Sequence, residues 1–160
     1  MKNNNGVVYE RITVLAVHIL NASDIPFEKD CDVLLEQYRR FLFECSEMMI
    51  QSGCCADIAM YNNTICGIFT GRYEIPVNTV VDVAVQIQEK LSRINDINMC
   101  EGREKMIFVI GMVSGIAAKI SVGGVSANMR KNIWLGTVIE RAHSLSLAAI
   151  QNGNSHIFHK

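Results

Sequence analysis

The 160-residue chain holds only two prolines and one tryptophan. No apolar run reaches the ~18 residues that a membrane-spanning helix needs, so a membrane span is not expected. No low-complexity tract, internal repeat or linker interrupts the chain, and a single domain over residues 1–160 is expected. Charge of one sign is lacking too: 15 Lys and Arg stand against 16 Asp and Glu, a net charge of −1. That balance argues against nucleic-acid binding, which rests on a strongly basic face. The opening Met1-Lys2-Asn3-Asn4-Asn5-Gly6 is polar, and no secretory signal pattern follows. Six cysteines are present without a C-x-x-C pair, and several lie in apolar stretches. They read as reduced core thiols of a cytoplasmic protein rather than as a disulfide framework or zinc site. What the chain has in quantity is apolar residues, at 49% against 19% charged, enough to bury a substantial core.

The apolar periods alternate between short runs and helical stripes. Arg11 to Leu20 is rich in Val, Ile and Leu and reads as a buried strand. Asn21 to Glu28 reads as a turn. From about Lys29 to Gln51, Leu34, Tyr38, Phe41, Cys45 and Met48 recur at three and four, and Ser52-Gly53 stops that helix. Cys55 to Tyr61 and Thr64 to Thr70 are strands joined by an Asn62-Asn63 turn. Val80, Ala84, Ile87, Leu91 and Ile94 mark a second helix after Pro76, with Asn78 placed to cap it. Lys105 to Met112 and Gly115 to Val122 read as two further strands, turned back through Val113-Ser114. Gly123 to Lys131 reads as a loop, Gly136 to about Gln151 as a third helix, and Ser155 to His159 as a last strand. Strand, helix, hairpin, helix, hairpin, helix, strand is the split βαβ plan of the α+β ferredoxin-like fold. An antiparallel sheet with helices mainly on one face is expected, its other face open or covered by a partner.

Four segments carry a resemblance. Val14 to Ser23 is similar to F-x-D-I-x-G-F-T/S, and Tyr61 to Phe69 to G-D-x-x-x-A-x-F. Ile110-Gly111-Met112-Val113-Ser114-Gly115 is similar to I-G-I-x-x-G, and Leu135 to Leu145 to I-G-D-x-V-N-x-A-A-R-L. In this order and spacing the segments resemble the catalytic domains of class III nucleotidyl cyclases, the adenylate and guanylate cyclase family, over nearly the whole chain. The passage into Trp134-Leu135-Gly136 also resembles the small pyrimidine cyclases of bacterial antiphage (Pycsar) systems.

The resemblance implies a reaction. Such domains convert a nucleoside triphosphate into a 3′,5′-cyclic nucleotide and pyrophosphate, in sites formed between two protomers. Two metal ions sit on two carboxylates, and a helix-borne Asn and Arg position the ribose and stabilise the transition state. All four positions are replaced here: the strand Asp by His18, the hairpin Asp by Asn63, the helix Asn by Glu140 and the helix Arg by Ser144. Mg²⁺ favours carboxylates, and a serine lacks a guanidinium's fork of donors. The base-selecting position falls near Ala59, which cannot hydrogen-bond a base edge.

A catalytically impaired cyclase homology domain is therefore expected. It would act as a homodimer, or as a heterodimer with a cyclase-like subunit that it regulates, and would need no cofactor. Two alternatives stay open. The first is an active cyclase with an unconventional or heterodimeric site, using Mg²⁺ or Mn²⁺, with His18 as a ligand and Glu140 or Asp57 supplying a carboxylate. The second is a sensor that binds a nucleoside triphosphate without converting it. Lys119, Arg130 and Lys131, beside Gly123 and Gly124, are candidate phosphate contacts or a solvated loop, with no Walker or G-x-G-x-x-G pattern. His18 also reads as a core histidine, Asn63 as a turn residue, and Glu140 with Ser144 as one solvated or interface helix face. A Glu140–His143 pair on that helix is a further way to tune a pKa.

Overall fold

A computed structural model describes residues 6–21, 31–61, 63–70, 77–122, 131–151 and 157–159. The elements are β1 (Gly6–Ile19), α1 (Cys31–Gln51), β2 (Cys55–Tyr61), β3 (Thr64–Phe69), α2 (Val77–Cys100), β4 (Phe108–Val122), β5 (Lys131–Leu135), α3 (Thr137–Gln151) and β6 (Ile157–His159). The sheet runs β2-β3-β1-β4-β5, and β6 pairs in parallel with β4. β1 lies between β3 and β4 and is antiparallel to both. Its central position explains its near-continuous apolar sequence, since both of its faces are covered.

Alternate residues of β1 feed two cores. Leu15, Val17 and Ile19 pack with Phe41, Cys45 and Met49 of α1 and with Val80, Ala84, Ile87 and Leu91 of α2. Val14 and Ala16 point the other way, toward Cys66, Ile68, Val113, Trp134 and the α3 residues Val138, Ile139 and Ala142. Period two in the strand thus sorts its side chains between two helical layers. Two helices share one face, as expected. The second face is not left open, because α3 lies on it.

The α3 contact is unusually close for a reason written in β4. A β-carbon at Gly111 would lie 2.9 Å from both the Ala142 carbonyl and the Ser146 amide nitrogen, and one at Gly115 would lie 3.2 Å from Val138 Cβ. The two glycines of the I-G-x-x-x-G run therefore let the helix rest on bare strand backbone. Gly136 starts the helix with φ +149°, and a β-carbon there would meet the Ile116 carbonyl at 2.7 Å. Gly53 ends α1 in the left-handed region at φ +72°.

Several boundaries differ from the sequence reading. The expected turn at Val113-Ser114 does not exist, and β4 continues through it. Val113 pairs with Val14 and Ser114 with Thr13, whose hydroxyls also hydrogen-bond at 2.9 Å. Pairing with an unbroken partner strand overrides the weak turn tendency of a single serine. The second hairpin is instead β4–β5, so Lys131 opens a strand rather than ending a loop. β1 starts earlier than expected, past a register shift between Tyr9 and Ile12 that follows the polar interruption Glu10-Arg11. β4 starts at Phe108 rather than Lys105. Asn21 bonds the Lys105 carbonyl and the Ile107 amide, and Asn95 bonds both backbone groups of Met106, so side-chain amides take the place of a partner strand. α2 begins at Val77, which places Asn78 inside its first turn rather than at its cap. Pro26, Pro76, Asn62 and the span 123–130 lie outside the described residues.

Cys45 and Cys66 are core thiols as expected, and burial pushes both up to about 12, which keeps them protonated and unreactive. Cys100 is exposed, outside the core. Among the described residues no helix is long and apolar enough to cross a membrane.

Gly111→Ala must push α3 off the strand or bend β4. Overpacking of this kind costs about 1–3 kcal/mol. Urea unfolding of that variant is expected to show the loss, with Gly102→Ala, where no atom lies within 4 Å of the added carbon, isolating the φ +72° strain alone.

Candidate functional site

The second face of the sheet carries the polar side chains of interest. His18 stands near the end of β1, in register with Thr64 of β3 on one side and Val109 of β4 on the other. α3 crosses above this point and brings His143 down to it. The Thr64 hydroxyl lies 2.5 Å from His18 Nδ1 and 3.1 Å from His143 Nδ1. The two rings meet edge to face, with centroids 5.7 Å apart. Thr64 is 1% exposed and His18 is 7% exposed, so water cannot take over these bonds.

One hydroxyl serves two imidazoles only in a particular arrangement. Threonine has one hydrogen to donate and lone pairs to accept. One imidazole must accept that hydrogen at Nδ1, and the other must donate its own Nδ1–H to the oxygen. The accepting ring is then neutral. Burial, reinforced by the neighbouring His143, holds the His18 pKa below its ordinary 6.5.

Asn63 caps the β2–β3 hairpin and is turned inward. Its side-chain amide donates to the Ile19 carbonyl at 2.9 Å, and its own carbonyl accepts from the Ile19 amide at 2.9 Å. Glu140 and Ser144 share an exposed side of α3, where the Ser144 hydroxyl donates to the Glu140 carbonyl at 2.8 Å. Glu140 is exposed. Ala59 is partly buried against the core beneath α3.

A second polar tie spans the same face. The Trp134 indole of β5 donates to the Asp57 carboxylate of β2 at 2.9 Å, joining the two strands at opposite ends of the main sheet order. Lys119 Nζ sits 5.3 Å from the centre of that indole, a cation–π contact. Lys119 lies ten residues along β4 from Val109, the residue opposite His18. Lys131 is the first residue of β5 and Arg130 falls outside the described residues, so only Lys119 of the three candidate phosphate contacts has a described side chain.

The structure thus brings His18, Thr64 and His143 together, with Asn63 beside them, and leaves Glu140, Ser144 and Lys119 outside that group. Thr64 is the residue the sequence reading missed. A histidine inside an apolar strand needs a polar partner, and a threonine right after the hairpin turn was one available signal.

No family model matches the chain. A curated protein named uridylate cyclase, from Treponema porcinum, is 20% identical over 150 residues, which is 94% of this chain and 52% of that protein. The chain thus spans about half the length of that relative. Among solved structures, the guanylyl cyclase Cya2 superposes with a TM-score of 0.74 at 14% identity, over 90% of this chain and 72% of that one. The adenylyl cyclase CyaB from P. aeruginosa does so with a TM-score of 0.74 at 14% identity, over 89% and 74%. A bacterial light-regulated adenylyl cyclase reaches 0.75 at 14%, over 98% of this chain and 44% of its own. The fold is that of a class III nucleotidyl cyclase catalytic domain.

Within this cyclase-like domain the residues do not fit a pair of hard divalent cations. At the positions that the resemblance aligns with metal carboxylates stand an imidazole whose Nδ1 is bonded to Thr64 and an amide whose nitrogen is bonded to Ile19. Asp57 is tied to Trp134, and Glu140 is exposed. Among the described residues, no three His, Cys, Asp or Glu side chains gather closely enough to hold a metal ion.

Thr64→Val keeps the shape at the cyclase-like domain's hairpin but removes the shared hydroxyl. Leaving a buried polar group unpaired costs about 1–3 kcal/mol. Thr64→Ser is expected to recover most of that loss when the two variants are compared by urea unfolding.

Proposed function

We propose that this chain is a catalytically impaired cyclase-like domain that works by association in bacterial nucleotide signalling. In this reading it pairs with a second copy or with an active cyclase-like subunit, whose output it regulates. The observation that carries the reading is the hydrogen bonding of His18 and Asn63. The two positions aligned with the metal carboxylates hold neutral side chains, His18 bonded through Nδ1 to Thr64 and Asn63 through its amide nitrogen to the Ile19 carbonyl. Neutral groups so engaged give no negative charge to offset a metal–triphosphate complex. Loss of the family's Arg position to Ser144 removes a further cationic contribution, worth roughly 10³–10⁵ in rate in related phosphoryl transfers.

A second reading has its own support. The relative named uridylate cyclase aligns along 94% of this chain. In that reading the chain makes a cyclic pyrimidine nucleotide, through a site completed by a partner and organised unlike that of other class III domains.

The two separate in one assay. Purified protein is incubated with ATP, GTP, CTP and UTP, each with Mg²⁺ or Mn²⁺, beside an active cyclase, and products are read by mass spectrometry. The first reading predicts no cyclic nucleotide from any of the four. A cyclic product that vanishes in His18→Ala would establish the second reading and overturn the first. Thermal stabilisation by one triphosphate without turnover would identify a nucleotide sensor; at about 100 times the dissociation constant it adds roughly 2.7 kcal/mol.

A further inference from the structure

We propose that a buried water molecule joins α1 to α2, bonded to the side-chain oxygen of Gln37 on one helix and to the side-chain nitrogen of Asn98 on the other. The site lies on the first face of the sheet and is independent of any cyclase activity.

Two stripes that are otherwise apolar end in amides. Gln37 stands one turn before Phe41 on the buried side of α1, and Asn98 one turn after Ile94 on the buried side of α2. Gln37 is 3% exposed and Asn98 is 1% exposed. Among the described residues, Gln37 Oε1 and Asn98 Nδ2 are the buried side-chain atoms that have no hydrogen-bond partner in the chain. The first is an acceptor and the second a donor. Buried polar atoms are satisfied by protein or by ordered water in the great majority of proteins.

The fold sets these two residues opposite each other. β1 and β2 run antiparallel to β3, and β4 runs antiparallel to β1. α1 therefore leads back along the sheet from the end of β1, and α2 leads the opposite way to the start of β4. The Lys90–Glu44 ion pair, at 3.2 Å, sets the register of the two helices. About two turns from it, toward the start of α1 and the end of α2, stand Gln37 and Asn98. The chain that follows α2 touches both. Gln37 Nε2 donates to the Glu104 carbonyl at 3.3 Å, and the Arg103 amide donates to the Asn98 backbone carbonyl at 2.8 Å.

One water answers both orphaned atoms. It gives a hydrogen to Gln37 Oε1 and accepts one from Asn98 Nδ2. Its second hydrogen has an acceptor at hand, because the Glu104 carbonyl keeps a lone pair beyond the one that Gln37 Nε2 engages. Three bonds is the usual count for an internal water. Simple ions do not fit the pair: an anion cannot donate to Gln37 Oε1, and a metal cation cannot accept from Asn98 Nδ2.

A high-resolution crystal structure of the full chain tests the bridge. An ordered water within hydrogen-bond distance of both Gln37 Oε1 and Asn98 Nδ2 is expected. The two amides bonded directly to each other, or either atom bonded to another protein group, would overturn the proposal. In solution, the Asn98 side-chain amide hydrogens are expected to show cross-relaxation with a long-lived water, and its absence would count equally against the bridge. Variants give a third reading. Gln37→Leu and Asn98→Leu each strand the opposite amide and are expected to lower the urea midpoint. The double variant removes both polar groups and is expected to recover toward the wild-type midpoint. Losses that simply add in the double variant contradict a shared water.

Discussion

The second face of this protein is organised by the contact between α3 and the bare backbone of β4. At Gly111 the helix lies so near that a single β-carbon would sit 2.9 Å from two of its backbone atoms. Gly115 repeats the arrangement one turn of helix away, under Val138. Once the helix is seated at that depth, the rest of the face is constrained. Ile139 and Ala142 reach the apolar residues of β1 and β3, and His143 comes within bonding distance of Thr64. A bulkier strand would have lifted the helix and parted His143 from Thr64.

That seating shapes what the site can do. In a class III cyclase fold the residues near the end of β1 and at the β2–β3 hairpin belong to the region where the resemblance places metal-bearing carboxylates. Here the same positions are turned into internal fastenings. His18 is tied through Thr64 to α3, and Asn63 is tied back to the backbone of β1. Trp134 and Asp57 add a tie across the same face. Both side chains are neutral, and each has one nitrogen engaged within the fold. Glu140 and Ser144 keep an exposed side on α3.

Much of the fold was legible because it depends on period and punctuation. The stripe from Val80 to Ile94 is buried as expected, β2 keeps the bounds read from sequence, and β3 ends one residue earlier. Reading failed where tertiary partners decide the outcome. Continuity of β4 through Val113-Ser114 comes from pairing with β1, which no local pattern reports. The late start of β4 comes from Asn21 and Asn95 capturing the backbone of residues 105–107. The site divides in the same way. The turn role of Asn63 was visible in the sequence. The bond from His18 to Thr64 and on to His143 was not, because it joins three elements separated by 46 and 79 residues.

The central claim is that the imidazole pair is an internal fastening and not a metal site. Titrating Mn²⁺, with and without UTP, into the isotopically labelled protein tests this through paramagnetic broadening. The account predicts that His18, Asn63 and Thr64 broaden no more than the core of the first face, and that any selective loss of signal falls on exposed carboxylates. Selective broadening centred on His18 and Asn63 at near-stoichiometric Mn²⁺ would contradict it.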